Sequence, residues 1–253
     1  MLLVLKLTLV PLLIAGVTLV SRRWGAQIGG VITSTPVVAG PTLSFYAVEQ
    51  GHAFAATAAQ GTLLGVFALA AFCVAYGWIA RHAPWHLSLL VGSIAFFAVT
   101  PFLYRTPVRQ TVALVSASVV LLAARQILPV PRHAPPRAHV PLREDLPVRM
   151  IAAAIVVLVL TSFARWLGPT LSGVLAAFPV AAAILAGFTH AQRGPEAVLQ
   201  YLRGLLPGLC SFALFCFVLA IMLRTSWLPA ALAVALGSQI ALQALVLYTM
   251  SLS

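Results

Sequence analysis

Residues 22–51 read RRWGAQIGGVITSTPVVAGPTLSFYAVEQG, and residues 165–194 read RWLGPTLSGVLAAFPVAAAILAGFTHAQRG. Laid together without a gap, Arg22 falls on Arg165, Gly25 on Gly168, Gly30 on Gly173, Pro36 on Pro179, Ala39 on Ala182, Phe45 on Phe188 and Gly51 on Gly194. The same register carries Gly61 onto Gly204, Gly65 onto Gly208, Phe72 onto Phe215 and Cys73 onto Cys216. Apolar residues coincide readily in any two membrane segments. Glycines, a proline and an arginine in one register do not, because each has its own backbone or charge role. The chain reads as an internal duplication.

What surrounds the two copies sets the class. Of the 253 residues, 62% are hydrophobic and 8% charged, where an average soluble domain carries about 25% charged residues. A soluble fold of this size cannot cover so much apolar surface. The apolar runs have the length of a membrane-spanning helix, about 20 residues. They lack the alternating segments of about 10 residues that mark a transmembrane barrel. The net charge of +11 suits loops that orient a membrane protein and meet anionic lipid. No basic patch interleaved with aromatics accompanies it, which argues against nucleic acid. Cys73, Cys210 and Cys216 all lie inside apolar runs and read as small buried hydrophobes. The opening run, MLLVLKLTLVPLLIAGVTLV, has neither a basic leader nor a small-residue cleavage site and is expected to be a retained span.

The expected fold is an all-α polytopic membrane helix bundle of about nine transmembrane helices. They are placed at 2–20, 24–48, 52–80, 85–103, 108–127, 149–166, 168–190, 195–223 and 227–251. The Pro/Arg-rich stretch from Pro129 to Arg149 cannot be helical. Residues 1–104 form the first repeat of four spans, 105–148 a linking span plus a cytoplasmic loop, and 149–253 the second repeat. An odd number of spans separates the copies, so the second enters the membrane from the opposite side and the repeat has inverted topology. Arg22, Arg23, Arg81, Arg125, Arg132, Arg137, Arg143, Arg149 and Arg193 collect on one side; Lys6, Arg105, Arg109, Arg165 and Arg224 collect on the other. By the positive-inside rule the N-terminus is outside and the C-terminus cytoplasmic, in a bacterial-type inner membrane.

Each copy carries one span interrupted at its centre. Pro36 and Pro179 lie about 18 Å from the span ends at about 1.5 Å per residue. Proline removes an amide donor and frees a carbonyl, and in hydrocarbon such groups survive only inside protein or beside a cavity. Paired Gly/Pro-interrupted spans in corresponding positions point to a transporter's binding site. Thr33, Ser34 and Thr35 precede Pro36, whereas Ala176, Ala177 and Phe178 precede Pro179. The three hydroxyls are either solute contacts or partners for the carbonyls freed at the kink. Thr33, Ser34, Thr35, Pro36 and Pro179 are the candidate substrate-binding residues. Arg203, inside the eighth span, joins them as an anion-binding candidate, with snorkelling to the surface as its alternative.

Ionisable residues near membrane depth are rare and often functional. Glu49 and His190 are the candidate proton- or ion-coupling residues; His titrates near neutral pH. Glu196 follows Pro195 and suits a helix N-terminus. Gly61/Gly65 and Gly204/Gly208 are small-xxx-small pairs for close helix packing, expected to bring these two helices together. No metal site or cofactor is expected, because no His/Cys/carboxylate cluster has ligand spacing. The common hydrolase and phosphate-loop motifs are also absent, so the chain is not expected to be an enzyme.

The functional expectation is a secondary transporter, or permease, of a small solute, coupled to protons or another cation. The alternatives are an integral membrane enzyme or lipid-carrier handler, or a non-transporting assembly subunit. The expected partners are membrane lipids and a small-molecule or ion substrate, with homodimerisation open and nucleic acid excluded.

Overall fold

The computed structural model describes residues 23–104, 108–132 and 168–251, with isolated positions at 12, 15, 16, 19, 151 and 155. The expected spans 2–20 and 149–166 lie outside the described residues except at those isolated positions. Residues 133–149 of the linker, with Glu144 and Asp145, lie outside as well.

Every described element is helical. In chain order they are α1 (Ala26–Thr33), α2 (Ala39–Glu49), α3 (His52–Ile79), α4 (Trp85–Tyr104) and α5 (Gln110–Ile127). Residues 168–176 form α6. Then follow α7 (Val180–Arg193), α8 (Pro195–Thr225) and α9 (Leu228–Ser251). Among the described residues, six stretches are long and apolar enough to cross a membrane: α3, α4, α5, α8, α9 and, taken across its break, Gly168–Arg193. This is a multi-pass helical membrane protein. The 24–48 segment is split into α1 and α2, each too short to cross alone.

Two long helices form the centre. The most apolar windows of α3 and α8 are 67% buried, whereas those of α4, α5 and α9 are 22% buried. The peripheral helices turn Leu90, Ile94, Val115, Val119 and Ile240 outward, the surface that acyl chains would cover. α3 and α8 pack antiparallel. Arg224 near the end of α8 reaches Gln60 near the start of α3. At the other end Gly77 faces Leu199 and Leu202, and Arg81 meets Glu196.

Glycines set how closely the other helices approach. A β-carbon on Gly30 would overlap the Tyr201 carbonyl oxygen, and one on Gly173 would overlap that of Ala58. Gly204 stands likewise against Gln27, and Gly61 against Thr170. Gly208 faces Val31 and Ser34, and Gly65 faces Val174 and Ala177. Each contact recurs with the partners exchanged between halves, in the register that sets Arg22 on Arg165. The expectation for the small-xxx-small pairs therefore needs correction. α3 and α8 do meet, but their paired glycines face the broken segments of the opposite half, where the backbone comes closest.

These contacts also fix directions. α1 runs parallel to α8, since Gln27 lies by Gly204 and Ser34 by Gly208. It is thus antiparallel to α3, as is α2, which joins α3 through the Gln50–Gly51 turn. α1 and α2 run in the same sense, making one broken crossing rather than a hairpin that turns back. Gly51 and Gly194 precede α3 and α8 at φ 92° and 86°, a region that side chains with a β-carbon rarely enter. Gly25 and Gly168 also have positive φ, 90° and 73°, at the starts of α1 and α6.

Candidate functional site

The two breaks share four backbone bonds, and the second adds one from Ala177 N–H to Gly173 O at 3.2 Å. In the first, Ser34 N–H donates to Val31 O and Thr35 N–H to Ile32 O, both at 3.1 Å. Val37 N–H then donates to Thr35 O at 2.6 Å, and helix resumes with Gly40 N–H on Pro36 O at 2.8 Å. In the second, Ala177 bonds Val174 O, Phe178 bonds Leu175 O, Val180 bonds Phe178 O and Ala183 bonds Pro179 O. Every donor and acceptor of these four bonds in the second break is the sequence counterpart of one in the first. Proline cannot donate, so the helix tightens to i→i−3 bonds before each break and restarts on the proline's own carbonyl.

Between the breaks lies a cleft of about 50 Å³. Residues 33–39 form one wall and residues 176–182 the other, with Leu69 and Phe212 among the remaining lining. Five sequence-expected residues thus come together here: Thr33, Ser34, Thr35, Pro36 and Pro179. The three hydroxyls donate to backbone carbonyls: Thr33 to Gly29 O at 2.6 Å, Ser34 to Val31 O at 2.6 Å and Thr35 to Ile32 O at 2.5 Å. Their protons serve the kink, and their oxygen lone pairs remain available as acceptors. Thr33 and Ser34 are buried, and Thr35 is half-buried.

Two residues that sequence reasoning passed over complete the first break. Gln243 Nε2 donates to Val31 O at 2.8 Å, and Gln239 Nε2 donates to Ser34 O at 3.2 Å. Both side chains are buried in α9. Their i, i+4 spacing, which places two amides on one helical face, was the available signal. The positions corresponding to Gln239 and Gln243 in the first half are Phe96 and Thr100 in α4. There, Phe96 and Phe97 pack on Phe178 with ring centroids 5.2 and 5.4 Å away. One break is dressed with hydrogen bonds and the other with aromatic rings.

The remaining candidates stand apart from the cleft. Arg203 donates to Arg125 O at 3.1 Å and Leu128 O at 3.0 Å. It caps the carbonyls ending α5 and is absent from the cleft wall. Glu49 is exposed at the end of α2. His190 is buried in α7, with Nδ1 3.3 Å from the Tyr76 hydroxyl. Glu196 holds Arg81 through two N–H bonds of 3.0 and 3.1 Å and accepts the Arg132 main-chain N–H at 2.5 Å. Arg81 also donates to Val130 O at 2.6 Å. Glu49 and His190 belong to opposite ends of the bundle, because α2 and α7 run in opposite senses.

Comparison with models of protein families, with curated proteins and with solved structures finds no match.

Proposed function

We propose that this protein is a secondary membrane transporter of a small solute, working by alternating access between two inverted-topology repeats. One observation carries the reading: two equivalent broken spans bring Pro36 and Pro179 to the walls of a single cleft midway along the bundle. Irregular backbone at membrane depth survives only inside protein or beside a cavity, and transporters built from inverted repeats bind at such paired breaks. Two relationships support the inversion. The helices α3 and α8, which correspond in sequence, run antiparallel. Glycine contacts between the halves are reciprocal, the mark of two-fold pairing.

The full reading comprises nine spans in a bacterial-type inner membrane. The end carrying Arg81, Arg125, Arg132 and Arg193 is cytoplasmic, with the N-terminus outside and the C-terminus inside. The solute meets Thr33, Ser34 and Thr35 and the helix ends beside Pro36 and Pro179. A proton or cation couples through Glu49 or His190. The protein performs no covalent chemistry on its solute.

The test needs no substrate. In a background lacking Cys73, Cys210 and Cys216, Thr35→Cys reports on the cleft. A membrane-impermeant maleimide applied to either side of oriented vesicles should reach it from one side in one state and from the other in the second. Persistent inaccessibility from both sides, with a folded protein, would refute the reading.

A further inference from the structure

We propose that Arg81 and Glu196 form a gate that shuts one face of the protein in the observed conformation, and that the cavity beside Arg224 is the same gate standing open on the other face. This rests on the alternating-access reading above. Arg81 lies in the turn after the first half's long helix, and Glu196 begins the second half's, so their two-pronged ion pair ties the halves together. Both side chains are largely withdrawn from solvent, 21% and 17% exposed. One turn deeper, Tyr76 and His190 tie α3 to α7 across the same interface.

The register of the duplication shows what occupies the equivalent positions on the opposite face. Arg81 corresponds to Arg224, but Glu196 corresponds to Ala53. Tyr76 corresponds to Leu219, and His190 to Ala47. Both polar ties of one face therefore lack their counterparts on the other, where Arg224 meets Gln60 Oε1 at 3.5 Å instead. The space is open too. A cavity of about 550 Å³ is lined by His52, Ala53 and residues 223–227. The counterparts of these residues are Pro195, Glu196 and residues 80–84, the neighbourhood that the ion pair closes. Inverted repeats move the protein between its two states by exchanging conformations, so contacts made at one face are released as the other closes. Glu196, whose counterpart Ala53 has no carboxylate, biases that exchange, because the conformation closed at the Arg81 end gains a charge-assisted, two-pronged hydrogen bond.

The test uses Thr35→Cys in the cysteine-free chain, reconstituted in oriented vesicles and labelled from each side. The parent should be labelled preferentially from the Arg224 face. Glu196→Ala should raise labelling from the Arg81 face about three- to tenfold, the effect of losing one partly buried two-pronged pair. The charge exchange Arg81→Glu with Glu196→Arg should restore part of the parent ratio, since it rebuilds the ion pair but not the bonds to Val130 O and Arg132 N–H, which separates lost gating from lost folding. Ala53→Glu, which supplies the missing carboxylate to Arg224, should lower labelling from the Arg224 face. Unchanged ratios in Glu196→Ala and Ala53→Glu, with the cysteine still reachable from one face, would overturn the gate while leaving the transport reading intact. A cysteine reachable from neither face in the parent and every variant would overturn the transport reading, and the gate with it.

Discussion

Gly173 lies against the main-chain carbonyl of Ala58 with no room between them for a β-carbon. Gly30 has the same relation to Tyr201, so the interface between the halves is closed by backbone meeting backbone. Thr62 strengthens one side, donating to Gly173 O at 2.9 Å. Its counterpart, Leu205, has no hydroxyl to do so.

Gly173→Ala and Gly30→Ala should each cost about 1–3 kcal/mol, because the added methyl group meets main chain that cannot rotate away. Gly237→Ala is the control. Nothing lies within 4 Å of a β-carbon there, and the substitution should be neutral or stabilise α9 by up to about 1 kcal/mol. Thermal unfolding in detergent measures all three, and equal effects at Gly173 and Gly237 would contradict the packing described.

Gln239→Leu and Gln243→Leu should each destabilise the protein by about 0.6–2 kcal/mol, the range for hydrogen bonds between membrane helices. Removing both amides leaves the Ser34 carbonyl without the donor it has in α9, and Val31 O with only its local partners. In the cysteine-free chain, Thr35→Cys should then label faster in the double variant, because the first break loses its support. An unchanged unfolding temperature and labelling rate would mean that the amides do not hold the break.

Sidedness is tested with single cysteines at His82, in the turn after α3, and at Arg109, before α5. The first should be labelled from the cytoplasm and the second from outside. Labelling of both from one side would mean that α4 does not cross the membrane, and exchanged sides would reverse the orientation.

The coupling residue is read from the pH dependence of Thr35→Cys labelling. A proton-coupled transporter should shift its two-sided accessibility ratio between about pH 5 and 8, where histidine changes charge most readily. His190→Gln should flatten that profile if His190 carries the proton. Glu49→Gln is expected to leave stability within about 0.5 kcal/mol because the carboxylate is exposed. Tyr76→Phe should displace the profile only if His190 is the carrier. A flat parent profile would remove proton coupling through His190.

Much of the architecture was legible because its causes are local. Pro36 and Pro179 interrupt helices wherever they are placed, since proline lacks the donor that the next turn requires. Gly51 and Gly194 mark helix starts because only glycine takes their positive φ without strain. The apolar run lengths placed α3, α4, α5, α8 and α9 within a few residues of their observed bounds, since length against bilayer thickness is a one-dimensional property.

What faces what was not legible. The glycines of α3 and α8 announce close packing, but their partner depends on how each helix is turned about its axis. That rotation put them on the broken segments rather than on each other. Arg203 carries the same charge beside a cleft or beneath a helix end. Only the placement of α5 assigned it to the carbonyls of Arg125 and Leu128. Arg81 and Glu196 are 115 residues apart, and nothing local links them. By itself the sequence determined where the chain breaks, because a break is set by the residue that cannot make its bond. The tertiary structure decided which carbonyls, rings and charges meet there, because that depends on neighbours brought together only when the helices pack.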